Sequence, residues 1–137
     1  MSKTDFETEL KEHGSIVYPN TGTSMMPLLR QHKDLMIIAP RPEGRLKNND
    51  AVLFRRGNDY VLHRIVKVLP EGYLITGDNQ WAKEIVGDEQ IIGVLTGFIR
   101  DGKEHSVSEP AYRLYVTGIR MIRLPRQAWR ILISKLK

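Results

Sequence analysis

Cysteine is absent from the 137 residues, which removes disulfides, thiolate nucleophiles and zinc–thiolate sites together and leaves the redox compartment open. No apolar run approaches the ~18 residues of a membrane-crossing helix. The longest, Leu35-Met36-Ile37-Ile38-Ala39, has the length of a strand. Met1 to Glu7 is polar and acidic and lacks the apolar segment of a secretory signal. With Met1 as the start, the expectation is a protein kept in the cytoplasm. The four histidines, His13, His32, His63 and His105, are too scattered to read as a metal cluster and no H-E-x-x-H occurs. No metal or organic cofactor is expected for the chemistry that the chain's motifs imply. Acidic residues are missing altogether from residues 111–137.

With 41% apolar and 27% charged residues, the chain can bury a core, and its length suits one domain. The net charge of +5 is unevenly placed. Arg113, Arg120, Arg123, Arg126, Arg130, Lys135 and Lys137 lie in the acid-free tail, so residues 1–110 carry 14 basic against all 16 acidic residues. The basicity therefore belongs to the tail, which points to an anionic surface as its partner.

Residues 5–13 read as a first helix with Thr4 or Asp5 as cap and Gly14 as stop. Residues 15–19, 34–39, 51–55, 60–69, 72–76 and 90–99 read as short strands. The third and fourth form a hairpin through Gly57-Asn58-Asp59, and residues 24–31 are expected to hold one helical turn. Short β runs separated by turn residues argue for a closed or partly closed, mainly β body. The tail changes period: Tyr115, Ile119 and Ile122, then Trp129, Leu132, Ile133 and Leu136, have helical spacing, divided by Pro125. This divides the chain into a β-rich body, 1–110, and a basic amphipathic tail, 111–137. The tail either packs on the sheet or lies in the headgroup region of an anionic membrane, as a peripheral attachment at its inner face. Nucleic acid is not an expected partner.

The most informative segment is Gly22-Thr23-Ser24-Met25-Met26-Pro27. Glycine in such a turn permits tight backbone approach to a reacting carbonyl, Met25 and Met26 supply apolar contacts for anchoring the turn or a substrate, and Pro27 sets the exit direction. A serine becomes a nucleophile only with a base in hydrogen-bond reach.

Gly22-x-Ser24-Met25-x-Pro27 resembles the nucleophile motif of the type I signal peptidases and the self-cleaving SOS-repressor peptidases. Four further segments resemble the same superfamily in the same order: Asp50-Ala51-Val52-Leu53-Phe54, Tyr60-Val61-Leu62-His63-Arg64-Ile65-Val66, Gly77-Asp78-Asn79 and Ile92-Gly93-Val94-Leu95. The likeness runs over about residues 20–100. A histidine at position 63, where most bacterial members carry lysine, is similar to the archaeal and endoplasmic-reticulum branch.

The resemblance implies the signal-peptidase and SOS-repressor β fold and a serine endopeptidase that cleaves signal or leader peptides. Ser24 would be the nucleophile, His63 its general base and Asp78 the third member, with Glu84 as the alternative acid. Thr23 or Thr21 would assist the oxyanion, since Gly22 stands where many signal peptidases have a donor serine. Lys67, four positions beyond His63, shares its face by strand alternation, and His32 is read as a loop residue. The N-terminal anchor and large β insertion of many relatives have no counterpart in these residues. An inactive peptide-binding relative and a self-cleaving regulator are the competing readings, although the 23 residues before Ser24 leave no room for a helix-turn-helix unit.

Overall fold

The structure is a computed structural model and describes residues 3–20, 22, 24–26, 28–80 and 82–121. A helix, α1 (Lys3–His13), leads into eight strands: β1 (Ile16–Pro19), β2 (Leu35–Pro40), β3 (Ala51–Arg56), β4 (Asp59–Leu69), β5 (Gly72–Thr76), β6 (Glu84–Val86), β7 (Ile91–Arg100) and β8 (Lys103–Ser106). A second helix, α2 (Pro110–Met121), follows. Every pairing is antiparallel, in the order β1-β2-β7-β3-β4-β5-β6, with β8 beside β7. The result is a mainly β molecule whose sheet curls into a half-barrel. Among the described residues no helix is long and apolar enough to cross a membrane.

The curl has a local cause. Extra residues interrupt the register at Thr96 and Ile92 of β7, opposite Ile37/Ile38 and Leu53/Phe54, and at Val66 of β4, and each such bulge bends its strand and increases the local twist. The β3–β4 hairpin closes through Gly57-Asn58, with Arg56 opposite Asp59. Gly57 has φ +58°, a conformation that costs glycine nothing.

Strand β3 lies at the centre, and all of Ala51–Phe54 is buried. Alternation sends Ala51 and Leu53 into one apolar cluster with Met25, Leu29, Ile38, Leu62 and Leu95, while Val52 and Phe54 enter a second with Ile65, Tyr73, Ile75 and Val86. The two sheet faces are thus both occupied, and each carries its own part of the site.

Between β1 and β2, the chain from 20 to 34 is closed like a purse. Asn20 N–H donates to the Asp34 carbonyl (3.0 Å) and His32 N–H to the Asn20 carbonyl (2.8 Å), while the buried Asn20 side chain donates to the Gly22 and Leu29 carbonyls. The fully buried Asp34 carboxylate accepts from Arg30 N–H (2.7 Å) and from the Arg30 and Arg100 guanidinium groups. Within the segment 24–31, which makes turns, Leu29 N–H donates to the Met25 carbonyl (3.0 Å), the i→i+4 bond of the one helical turn expected there.

Burial pushes the Asp34 carboxyl upward, but the hydrogen bonds from Arg30 and Arg100 outweigh it and hold the group well below the usual carboxylate range. Its contribution is therefore complete above pH ~4, the ordinary aspartate range, and is lost as pH falls through the lowered native value. Asp34→Ala is expected to lower unfolding stability by roughly 2–3 kcal/mol at pH 7 and to flatten the decline of melting temperature between about pH 4 and 2. Thermal unfolding across that range checks both.

Candidate active site

Ser24 sits over the turn that follows β5. Asn79 N–H donates to its carbonyl (2.8 Å), and the Asp78 N–H points at Met25 Sδ (3.5 Å). A Cβ on Gly77 would lie 2.5 Å from the Ser24 carbonyl oxygen and 2.9 Å from its Cβ. Glycine is thus required at 77 by close approach, and Ser24 occupies the place a side chain would take. Gly77 follows Thr76, whose cross-strand partner Arg64 is next in the chain to His63, so Ser24 packs on the turn that adjoins the β4 segment carrying His63.

His63 is buried on β4 opposite Val52, with its ring edge-on to Phe54 at 5.8 Å and 62°. Its Nδ1 is buried without a hydrogen-bond partner, and the nearest acid is Glu84 Oε1 at 3.7 Å. Glu84 reaches this position because β6 pairs Glu84 with Ile75, which in turn faces Ile65, two residues from His63. The same Glu84 oxygen is held by the Arg56 guanidinium. Burial, followed by the Arg56 cation, lowers the His63 pKa from its ordinary value, while Glu84 and Asp78 pull the other way without prevailing. The imidazole is consequently neutral at neutral pH, the form a general base needs. Among the described residues no hydrogen bond joins Ser24 to His63.

Asp78 lies elsewhere. Its carboxylate is clasped by Arg64, with Nε at 2.8 Å and the second nitrogen at 3.0 Å, and accepts from the Tyr115 hydroxyl at 2.8 Å. Both ion-pair side chains are almost sealed from water (3% and 1% exposed). Arg64 also donates to the Asn49 carbonyl and to Tyr112. Of the two acids considered from sequence, Glu84 is thus the one brought to the imidazole, and Asp78 is brought to Arg64 and α2.

The remaining candidates separate as follows. Met25 is buried in the first cluster and Met26 is half-buried. Lys67 was expected on the face of His63, but the bulge at Val66 reverses the alternation: Lys67 pairs with Leu74 and lines a 310 Å³ cavity with Arg64 and Asp78 on the other face. His32 is exposed in its turn, with φ +60°. Thr21, Thr23 and the tail residues 122–137, Trp129 among them, lie outside the described residues. No group of three or more metal-ligating side chains occurs among the described residues. Arg56, Arg64 and Tyr115 were not singled out from sequence. Arg56 had a readable signal, since it stands two residues beyond Phe54 on the same hairpin as His63.

Neither a protein-family model nor a curated protein sequence matches the chain.

Gly77→Ala forces its new methyl into backbone and is expected to cost about 1–3 kcal/mol of stability while displacing Ser24. Gly22→Ala, whose Cβ meets nothing within 4 Å, is expected to unfold as the parent does. Paired melting curves of the two variants check the contrast.

Proposed function

We propose that the chain is a serine endopeptidase of the signal-peptidase kind, in which Ser24 attacks a peptide carbonyl and His63 is the general base. The observation that carries this reading is the seating of Ser24 on Gly77, one residue past the cross-strand partner of Arg64, together with a buried, neutral His63 on the adjoining strand that has an acid 3.7 Å from its Nδ1. Glu84 is assigned as that acid. In the forward step His63 takes the Ser24 hydroxyl proton and returns it to the leaving amine, and Glu84 favours the imidazolium formed between. The Ser24 backbone N–H is the candidate oxyanion donor.

An extended substrate has a natural berth. Strand β1 ends the sheet order, pairing with β2, and leads directly into the Ser24 loop. A peptide added along this edge would bond through its backbone and run toward Ser24. Asp78 serves in this reading as an anchor, because both its oxygens are taken by Arg64 and Tyr115. The five motifs in register between residues 20 and 100 add independent support for the superfamily and its fold. The basic tail makes an anionic membrane surface a candidate partner for a leader or preprotein substrate.

The test is hydrolysis of a mixed peptide library, read by mass spectrometry, with and without anionic vesicles. Ser24→Ala and His63→Ala are each expected to reduce cleavage by at least about 10³-fold and Glu84→Gln by about 10²-fold, with Asp78→Asn acting mainly on thermal stability. Because burial lowers the His63 pKa, activity should persist on acidification further than an exposed imidazole allows, with its acid limb below pH ~6.5. Cleavage that survives Ser24→Ala removes the assignment.

A further inference from the structure

We propose that Arg56 is a positioning residue for His63: it holds the Glu84 carboxylate against His63 Nδ1, so that the imidazole proton stays on Nδ1 and the Nε2 lone pair is left for Ser24. Only the final clause rests on the peptidase reading.

Four side chains close a ring on one face of the sheet. Arg56 bonds Glu84 Oε1, and that oxygen is also the one 3.7 Å from His63 Nδ1. The Arg56 guanidinium lies 5.6 Å from the Phe54 ring centre, and Phe54 abuts His63. The members come from β3, β4 and β6, so the ring exists only once the sheet has formed. Glu84 needs such a tether. It opens a three-residue edge strand and is 35% exposed, where a carboxylate otherwise turns toward water. Arg56 is half exposed itself (51%), so a packing role in the core does not account for it.

The tautomer follows from charge. A carboxylate fixed beside Nδ1 repels a lone pair there and favours an N–H, which leaves the lone pair on Nε2. Among the described residues the other charged groups around His63 are Asp78, neutralised by Arg64, and Arg64 itself, next in the chain on the opposite face. Glu84, 3.7 Å from Nδ1 and bonded by Arg56, is the charged group set against that atom.

The experiment is ¹⁵N-histidine NMR on the full chain, with His63 assigned by the signal lost in His63→Gln, in the parent, Arg56→Gln, Arg56→Lys and Glu84→Gln. The parent should show the Nδ1–H tautomer. Arg56→Gln should give mixed tautomers and an upward shift of the His63 midpoint, since a facing cation is gone, and Arg56→Lys should return both toward the parent. In the hydrolysis assay Arg56→Gln should lower kcat about tenfold with KM unchanged and raise the acid limb with the midpoint. If Arg56→Gln matches the parent in tautomer and midpoint, the proposal is overturned, whatever the hydrolysis assays give. A changed tautomer with cleavage surviving in Ser24→Ala would sustain the role of Arg56 and remove the peptidase assignment instead.

Discussion

The buried pair of Arg64 and Asp78 holds the working parts of this molecule in one frame. Taking two ions out of water costs several kcal/mol each, and the cost is offset where most donors and lone pairs are used, as they are here. Arg64 gives two nitrogens to Asp78 and a third to Asn49 and Tyr112, while Tyr115 fills a further acceptor site on Asp78. The Arg64 guanidinium is held above its usual range because the Asp78 bonds outweigh burial, and the Tyr115 hydroxyl is pushed up by burial and by the neighbouring carboxylate. The pair ties β4 to the 77–79 turn and both to α2. Since that turn also seats Ser24, the anchor lies upstream of any chemistry.

Alternation along β4 divides the labour. His63 and Arg64 are consecutive, yet His63 lies on the side of the second cluster, with Val52 and Phe54, whereas Arg64 faces the first and there meets Asp78 and the α2 tyrosines. The bulge just beyond, between Ile65 and Lys67, ends this arrangement. It removes Lys67 from the imidazole's side of the sheet.

Much of the body was legible because its strands announce themselves by period. The runs 51–55, 60–69 and 72–76 combine β-branched and aromatic residues with glycine or proline at their ends, and each lies within a residue of the observed strand. Strands β6 and β8 were not legible: Glu84-Ile85-Val86 and Lys103-Glu104-His105-Ser106 are short, and pairing with β5 and β7 makes them strands. An Asp101-Gly102 turn with φ +52° and +79° was the available sign of the second. The tail helix begins at Pro110, a residue suited to a first helical turn, whereas the spacing of Tyr115 and Ile119 pointed to helix only from five residues further on. At the site, Ser24 and His63 came from the order of motifs. The choice between Asp78 and Glu84 did not, because it depends on which face each acid reaches, and face is a property of register. Arg64 was hidden for the same reason.

The electrostatics of His63 then turn on whether Glu84 is a free charge. At an effective dielectric constant of about 20, opposite charges ~4 Å apart attract by about 4 kcal/mol, enough for an unscreened carboxylate at that distance to draw a proton onto the imidazole well above neutrality. His63 nevertheless lies below its ordinary range. Burial supplies the largest part of that, and Arg56 supplies the next while it is bonded to the very oxygen that faces Nδ1. One cation thus has two effects with the same sign: it opposes protonation of the ring directly, and it cancels the carboxylate that would promote it. What remains is an acid close to the ring and too well neutralised to charge it at rest, so under the proposed peptidase reading its pull on the imidazole proton would matter most when the ring takes a second one from a nucleophile.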